Sequence, residues 1–460
     1  MNLRLILLVA SLALTATFGV RADNFLDIEG GEATSVGIYI RELNTGQVVV
    51  NHNAQLALTP ASVTKAITSA TALAMLGPDF QFTTRVYLTG SRSASAKAKW
   101  DGNLVINASG DPTTGSKQFK TTAAFTDSII AGLRRLGVSS IGGAVIIRES
   151  MPDQGPVAQW EIEDLAWPYG AGLFGFNWAG NTVDIYPVTG KSRPASNLKV
   201  TLRPSADGDG TDLLRGVNSN NLTVWGSAKS RKNKAWAVEV SIPDPAEVYA
   251  AILTTRLRTA GISIGSSKAK TTSDNTTDVY THRSPALTAI CRSLMKRSDN
   301  LFAEGMLRAL KPGATRADCL EAELDFWTDR GLNTKHLMLR DGSGLTRSNR
   351  IPPIFLADVL DRMIKSDNAQ DYINFFPVSG VDGTLKTFLA KTPLKGRLAL
   401  KTGSMASVQT YAGYKLDAEG HPTHVVVIMV NGFFCSRASL RKQIEAFLLK
   451  TFVNTPKTEE

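Results

Sequence analysis

Short apolar, β-branched runs stand at Val36-Gly37-Ile38-Tyr39-Ile40 and again at Gln47-Val48-Val49-Val50 and read as strands. The two runs flank Asn44-Thr45-Gly46, so a β-hairpin is predicted. The pattern then changes. Val63, Ile67, Ala70, Leu73 and Ala74 recur at helical spacing, which predicts one buried stripe on a helix running to Leu76. Thr59 is positioned to cap that helix, Pro60 is tolerated in its first turn, and Gly77-Pro78 ends it. Two strands followed by a helix point to an antiparallel sheet covered by helices, an α+β fold.

Between about Gln81 and Val279 the pattern breaks into many short strand-like runs, among them Leu104-Val105-Ile106 and Ala144-Val145-Ile146-Ile147. Polar stretches at 91–95 and 266–277 bound this region, and two helices are expected within it, at Ala124–Leu136 and Ala246–Ala260. Six of the seven tryptophans fall here, so widely scattered that core packing is the expected role. Helical periodicity returns at Pro285–Met295, Leu301–Leu310 and Pro353–Ile364. The chain closes with strands at Leu398–Ser404, Val408–Lys415 and His424–Asn431 and an amphipathic helix at Arg437–Phe452.

Length and composition narrow the setting. A chain of 460 residues can hold two or three domains. Arg4 followed by the apolar Leu5–Val20, with Val20-Arg21-Ala22 before Asp23, reads as a secretory leader over 1–22. No later stretch is long and apolar enough to span a membrane, so an exported, soluble protein is expected. The net charge of +10 suits solubility or an anionic envelope surface, and no basic-aromatic cluster points to nucleic acid. Three cysteines (Cys291, Cys319, Cys435) permit one disulfide at most. The five histidines have no metal-ligand spacing, so neither metal nor cofactor is expected; His421 and His424 read as surface residues at a strand turn.

Candidate chemistry centres on Ser62-Val63-Thr64-Lys65. The two polar residues share one face of the first helical turn, so the lysine amine can activate the hydroxyl without a histidine. The spacing alone is uninformative, because Ser-x-x-Lys also begins at Ser196, Ser267, Ser293 and Ser439. Only Ser62 opens an apolar helix. Ser-Asp-Asn begins at Ser273, Ser298 and Ser366, and of these Ser298 lies between two strongly apolar helices. Lys401-Thr402-Gly403 occurs once, on a strand expected to be central, where a buried lysine is costly unless its charge is used.

Ser62-x-x-Lys65, Ser298-Asp299-Asn300 and Lys401-Thr402-Gly403 occur in the order used by penicillin-recognising serine acyltransferases. The chain resembles the penicillin-binding protein and serine β-lactamase superfamily. Within it, the long gap between the first two motifs, Pro60–Lys65 and Ser298-Asp299-Asn300-Leu301-Phe302-Ala303-Glu304 are similar to class C low-molecular-mass penicillin-binding proteins. These are D-alanyl-D-alanine carboxypeptidases and endopeptidases. Gly110-Asp111-Pro112, Asp341-Gly342-Ser343-Gly344-Leu345 and Val381-Asp382-Gly383-Thr384-Leu385 also resemble family loops.

The resemblance implies a β-lactamase-like domain at 23–80 and 280–455, interrupted by an inserted domain at 81–279. It implies Ser62 as nucleophile, Lys65 as its base and Ser298 as proton relay. Asn300, Lys401, Thr402, Gly403 and Ser404 would bind substrate, with Lys401 and Thr402 on its terminal carboxylate. Ser404 stands where threonine is frequent, but only its backbone N–H is needed. The partners implied are peptidoglycan stem peptides, with β-lactams as covalent inhibitors. Two rivals remain. A serine β-lactamase of the kind that deacylates through Glu-x-x-x-Asn is disfavoured because that spacing is missing, and a catalytically silent scaffold is disfavoured by three intact motifs.

Overall fold

Strands from the two ends of the chain share one sheet. Its order is Leu398–Met405, Val408–Leu416, Pro422–Asn431, Ser35–Glu42, Val48–His52, and every neighbouring pair is antiparallel. This computed structural model describes residues 33–453 except 95, 120–123, 207–209 and 270–274, so the expected leader and Ser273-Asp274 lie outside the described residues.

Both faces of the sheet are buried, each by alternate residues of the same strands. Val425, Val427 and Met429 face a helical cluster that includes Val63, Ile67, Leu294, Phe302 and Leu360. Val426, Ile428 and Val430 face the opposite way, onto Leu440, Ile444 and Leu448 of the closing helix Arg437–Phe452. Among the described residues no helix is long and apolar enough to cross a membrane.

The helix after the hairpin differs from its expected form. A 3-10 turn at Ala61–Val63 precedes the α-helix Thr64–Leu76, and neither has a side-chain cap. Thr59 does not cap; its hydroxyl donates to Arg347 O at 3.3 Å, while its N–H donates to Asn431 Oδ1 at 2.7 Å. Every residue from Thr64 to Leu73 is buried, not one stripe, and Ala74 is exposed. The helix is the centre of its layer, packed by neighbours all round. Gly77 ends it at φ +83°.

Further helices run at Leu287–Arg297, Asn300–Ala309, Arg316–Thr328, Pro353–Ile364 and Ala369–Phe375. The third of these has no counterpart in the periodicity reading. It starts at a capping box between Thr315 and Asp318.

Among the described residues, all the remaining strands pair with one another, in two four-stranded and two three-stranded sheets. The first, Thr83–Thr89, and the last, Thr276–Arg283, are antiparallel neighbours with Thr83 opposite Arg283. Helices Phe125–Arg135 and Pro245–Thr259 contribute Phe125, Ile129, Leu133, Tyr249 and Leu253 to one core, and Val183, Ile185, Val224 and Val240 form another.

The tryptophans only partly match their expected role. Trp100 and Trp160 are buried, whereas Trp167, Trp178, Trp225 and Trp236 are half-buried. All three cysteines are unpaired. His421 is exposed, but His424 is half-buried and its ring packs edge-on against Phe452.

Candidate active site

Ser62 lies in the 3-10 turn and Lys65 in the first turn of the α-helix that follows it. Lys65 Nζ donates to Ser62 Oγ at 2.9 Å, to Asn300 Oδ1 at 2.6 Å and to the Ser343 carbonyl. Burial pushes the Lys65 amine down to about 8, even though the carboxylates of Asp341, Glu304 and Asp299 pull the other way.

Ser298 follows directly on helix Leu287–Arg297 in the left-handed region, at φ +61°, which a serine adopts at some cost. Asp299 then caps the next helix, its side chain accepting from Phe302 N, and Asn300 is that helix's first residue. One tight connection thus brings Asn300 to Lys65 and Ser298 to Lys401.

Lys401 and Gly403 alternate with Leu400 and Thr402 along the edge strand. Lys401 Nζ donates to Ser298 Oγ at 2.9 Å and to its neighbour's carbonyl, Thr402 O, at 2.6 Å. It is fully buried with no carboxylate partner among the described residues. Burial therefore pushes its amine well below the usual lysine range, and the charge on Lys65 adds to the effect.

Gly403 is required by close approach. A Cβ there would lie 2.8 Å from both Ser62 N and Pro60 O and 2.2 Å from Thr410 Oγ1. Thr402 Oγ1 donates to Thr384 Oγ1 at 2.8 Å, and Ser404 is exposed. Ser62, Ser298, Asn300, Thr402 and Ser404 line one open cavity of about 480 Å³; Lys65, Lys401 and Gly403 stand directly behind it.

The alternative motif copies are elsewhere. Ser196 bonds Ser192, Ser293 bonds Gln118, Ser366 returns to Met363 O, and Ser439 lies in the first turn of the closing helix.

Several residues without an expected role complete the site. Asn300 Nδ2 donates to Tyr169 O at 2.8 Å, and Gln118 Nε2 to Asp299 Oδ2 at 3.2 Å; both partners come from the segment between the first two motifs. Tyr169, Asp164 and Glu163 line the cavity from that side, with Arg347 at 3.3 Å from Glu163, and Leu345 and Met405 also line it. Trp160 Nε1 reaches across to Asp341 Oδ2 at 2.8 Å. In Gly110-Asp111-Pro112 the buried Asp111 accepts from Thr113 N at 2.8 Å, and Pro112 rests on Gly305, where a Cβ would be 2.6 Å from Pro112 Cγ.

Behind Lys65 lies a layer of buried acids. Asp341 accepts from Gly344 N at 2.8 Å, Asn349 Nδ2 at 2.7 Å and Thr346 N at 2.7 Å. Glu304 accepts from Gly342 N at 3.0 Å and Ser343 N at 2.9 Å, the two peptides just before the one whose carbonyl holds Lys65; that one is fixed by Asp341 through Gly344 N. Burial, then the Asp341 charge, push Glu304 up to about 7. Glu323 is pushed by burial up to about 8. The nearby hydroxyls of Thr71 and Thr68 donate elsewhere, to Ile67 O and Gly342 O, each at 2.9 Å.

A family model described as D-Ala-D-Ala carboxypeptidase 3 (S13) matches residues 23–450. The chain belongs to that family. Among S13 relatives, a D-alanyl-D-alanine carboxypeptidase DacB of Haemophilus influenzae is 24% identical over 428 residues, 87% of this chain and 86% of the relative. A D-alanyl-D-alanine carboxypeptidase of Actinomadura sp. is 25% identical over 461 residues, 92% and 84% of the two chains. The crystal structure of penicillin-binding protein 4 (dacB) from H. influenzae matches at a TM-score of 0.79 and 22% identity, covering 94% of this chain and 99% of that one. The penicillin-recognising α+β fold expected from the motifs is therefore the fold observed.

Proposed function

We propose that this S13 D-alanyl-D-alanine carboxypeptidase works through an acyl-enzyme on Ser62 and acts on peptidoglycan stem peptides. The observation carrying the reading is the pair of lysine–serine contacts, each 2.9 Å, converging on one cavity. A lysine with a pKa of about 8 is neutral in about a tenth of the molecules at pH 7, enough to serve as a base.

Ser62 Oγ attacks the carbonyl carbon of the penultimate D-alanine, and its proton passes to Lys65 Nζ. The N–H groups of Ser62 and Ser404 receive the oxyanion. Collapse breaks the C–N bond as the Ser298 hydroxyl protonates the departing nitrogen, drawing its replacement proton from the lysines. Water then attacks the ester, gives its proton back to the same base and frees Ser62.

Thr402 and Thr384 offer hydroxyls to the terminal carboxylate, with Lys401 behind them. A carboxylate arriving there favours the Lys401 ammonium, whose charge in turn favours neutral Lys65. Free C-termini would thus both bind and switch on the base. A β-lactam presenting the same carboxylate would acylate Ser62 in the same way. With the leader at 1–22, the setting is outside the cytoplasm, and N-terminal sequencing of the exported protein should begin at Asp23.

The test is mass spectrometry after benzylpenicillin, with a peptide map. One adduct on Ser62 is expected, and Ser62→Ala should lose both the adduct and D-alanine release, by up to about 10⁶ in rate. An adduct on Ser196, Ser267, Ser293 or Ser439 overturns the assignment.

A further inference from the structure

The two hydroxyls offered to the terminal carboxylate are held in different ways. Thr402 belongs to the edge strand Leu398–Met405. Thr384 lies in a 3-10 turn at Gly383–Leu385 and is exposed on the cavity wall, so packing does not fix its side chain. Thr402 Oγ1 donates to Thr384 Oγ1 at 2.8 Å, which leaves the Thr384 proton for an incoming carboxylate. Where Thr384 stands therefore decides whether the two hydroxyls work as a pair.

Its place is set by its neighbours. Leu385 is buried in the core shared with the closing helix. Asp382, just before the turn, divides its carboxylate between two elements. Its Oδ1 accepts from Val378 N at 2.9 Å, and Val378 pairs with Ala399 of the edge strand. Its Oδ2 meets Lys296 Nζ at 2.5 Å. Lys296 stands in the last turn of helix Leu287–Arg297, two residues before Ser298. Gly383 presses on the same turn, where a Cβ would be 2.8 Å from Lys296 O. The C-terminal end of a helix repels an anion, so a carboxylate is favoured there only with a cation against it. The Lys296–Asp382 pair thus ties the Thr384 turn to the helix that leads into Ser298, while Val378 ties it to the strand of Lys401 and Thr402.

We propose that Lys296, acting through Asp382, is a positioning residue for Thr384 and thereby sets the selectivity for a free C-terminal carboxylate. The inference rests on the peptidase reading above. The chemical step is unchanged, and Lys296 acts without touching the substrate.

The experiment measures kcat and KM on a peptide ending in D-alanyl-D-alanine and on the same peptide amidated at its C-terminus. The proteins are the full chain, Lys296→Met, Lys296→Arg, Asp382→Asn, Thr384→Val and the double variant Lys296→Met/Thr384→Val. Lys296→Met and Asp382→Asn should each raise KM for the free peptide about tenfold, the size expected for a hydrogen bond to a charged group. Turnover of the free peptide, and both constants for the amidated one, should stay within about twofold. The two substitutions change the local charge in opposite directions. A simple field acting on the carboxylate would therefore move KM oppositely, whereas positioning moves it the same way. Asparagine keeps an oxygen for Val378 N, and Lys296→Arg, which restores the pair, should recover most of the loss. Thr384→Val should reproduce the loss, and adding Lys296→Met to it should cost less than about twofold more. Opposite shifts in KM, equal losses on the two peptides, or full additivity in the double variant overturn the proposal. An unmodified protein that releases D-alanine without preferring the free peptide overturns the carboxylate site, and the proposal with it. One that releases no D-alanine instead removes the peptidase reading on which the proposal rests.

Discussion

Lys401 and Lys65 are both buried amines, yet their surroundings assign them different work. Lys65 has acids behind it and Ser62 in front; among the described residues, Lys401 Nζ hydrogen-bonds only Ser298 and a backbone carbonyl. Lys401→Ala should therefore weaken substrates and penicillins that carry the carboxylate far more than a C-terminally amidated peptide. Lys65→Ala should harm both alike, and steady-state kinetics on the matched pair reads the difference. Equal losses for Lys401→Ala would refute the division. The pH profile follows from the Lys65 value. Only the neutral amine accepts a proton, so acylation should climb roughly tenfold per pH unit and level off above about 8. Glu304→Gln keeps an oxygen able to accept from Gly342 and Ser343 but removes a negative charge that favours the ammonium. Its midpoint should move to lower pH, whereas a purely structural role would lower the rate without moving it. At this scale the sequence was legible in which residues meet: Ser62, Ser298 and Lys401, far apart in the chain, come together at one cavity. Tyr169 and Gln118 were not, because a backbone carbonyl and a lone glutamine carry no motif; only the folded chain brings them to Asn300 and Asp299.

Among the elements, the edge strand and the Ser62 turn meet with no room for a side chain at Gly403. Gly403→Ala places a methyl against two backbone atoms that cannot turn aside, Ser62 N and Pro60 O. Acylation by benzylpenicillin should fall by at least about a hundredfold, since displacing the nucleophile by even an ångström costs that much. Far-UV circular dichroism should show the fold retained, and a variant acylated at the normal rate would contradict this account. The hairpin and closing strands were readable because a sheet buried on both faces leaves short, nearly continuous β-branched runs, such as 425–430, bounded by turn residues. The helix Arg316–Thr328 was not, because its buried side includes Arg316 and Glu323, which belong to the acid layer behind Lys65. Function had overwritten the periodic signal there. For the helix Thr64–Leu76 the stripe was misleading in the opposite way. A helix surrounded by neighbours buries its threonines and its lysine as fully as its leucines.

At the scale of the whole molecule, the segment from 81 to 279 has its own sheets and cores, yet it does more than wall the cleft. Tyr169 O and Gln118 hold the Ser298–Asn300 connection from outside, and Trp160 bonds Asp341. Treating 81–279 as an inserted domain, we expect that replacing it with a short linker would slow penicillin acylation as well as peptide hydrolysis. A linker variant acylated at the unmodified rate would make those bonds ornamental. The same segment sets the order in which the chain can fold. The strand Ser35–Glu42 has its partner at Pro422–Asn431, so the central sheet must wait for nearly all of the polypeptide. Closing so long a loop from a random coil is slow, because its entropy must be lost before any contact repays it. The pairing of Thr83 with Arg283 shortens the path. Once the inserted sheets form, about two hundred residues shrink to one strand spacing of roughly 5 Å, and the two halves of the peptidase meet as if they were consecutive.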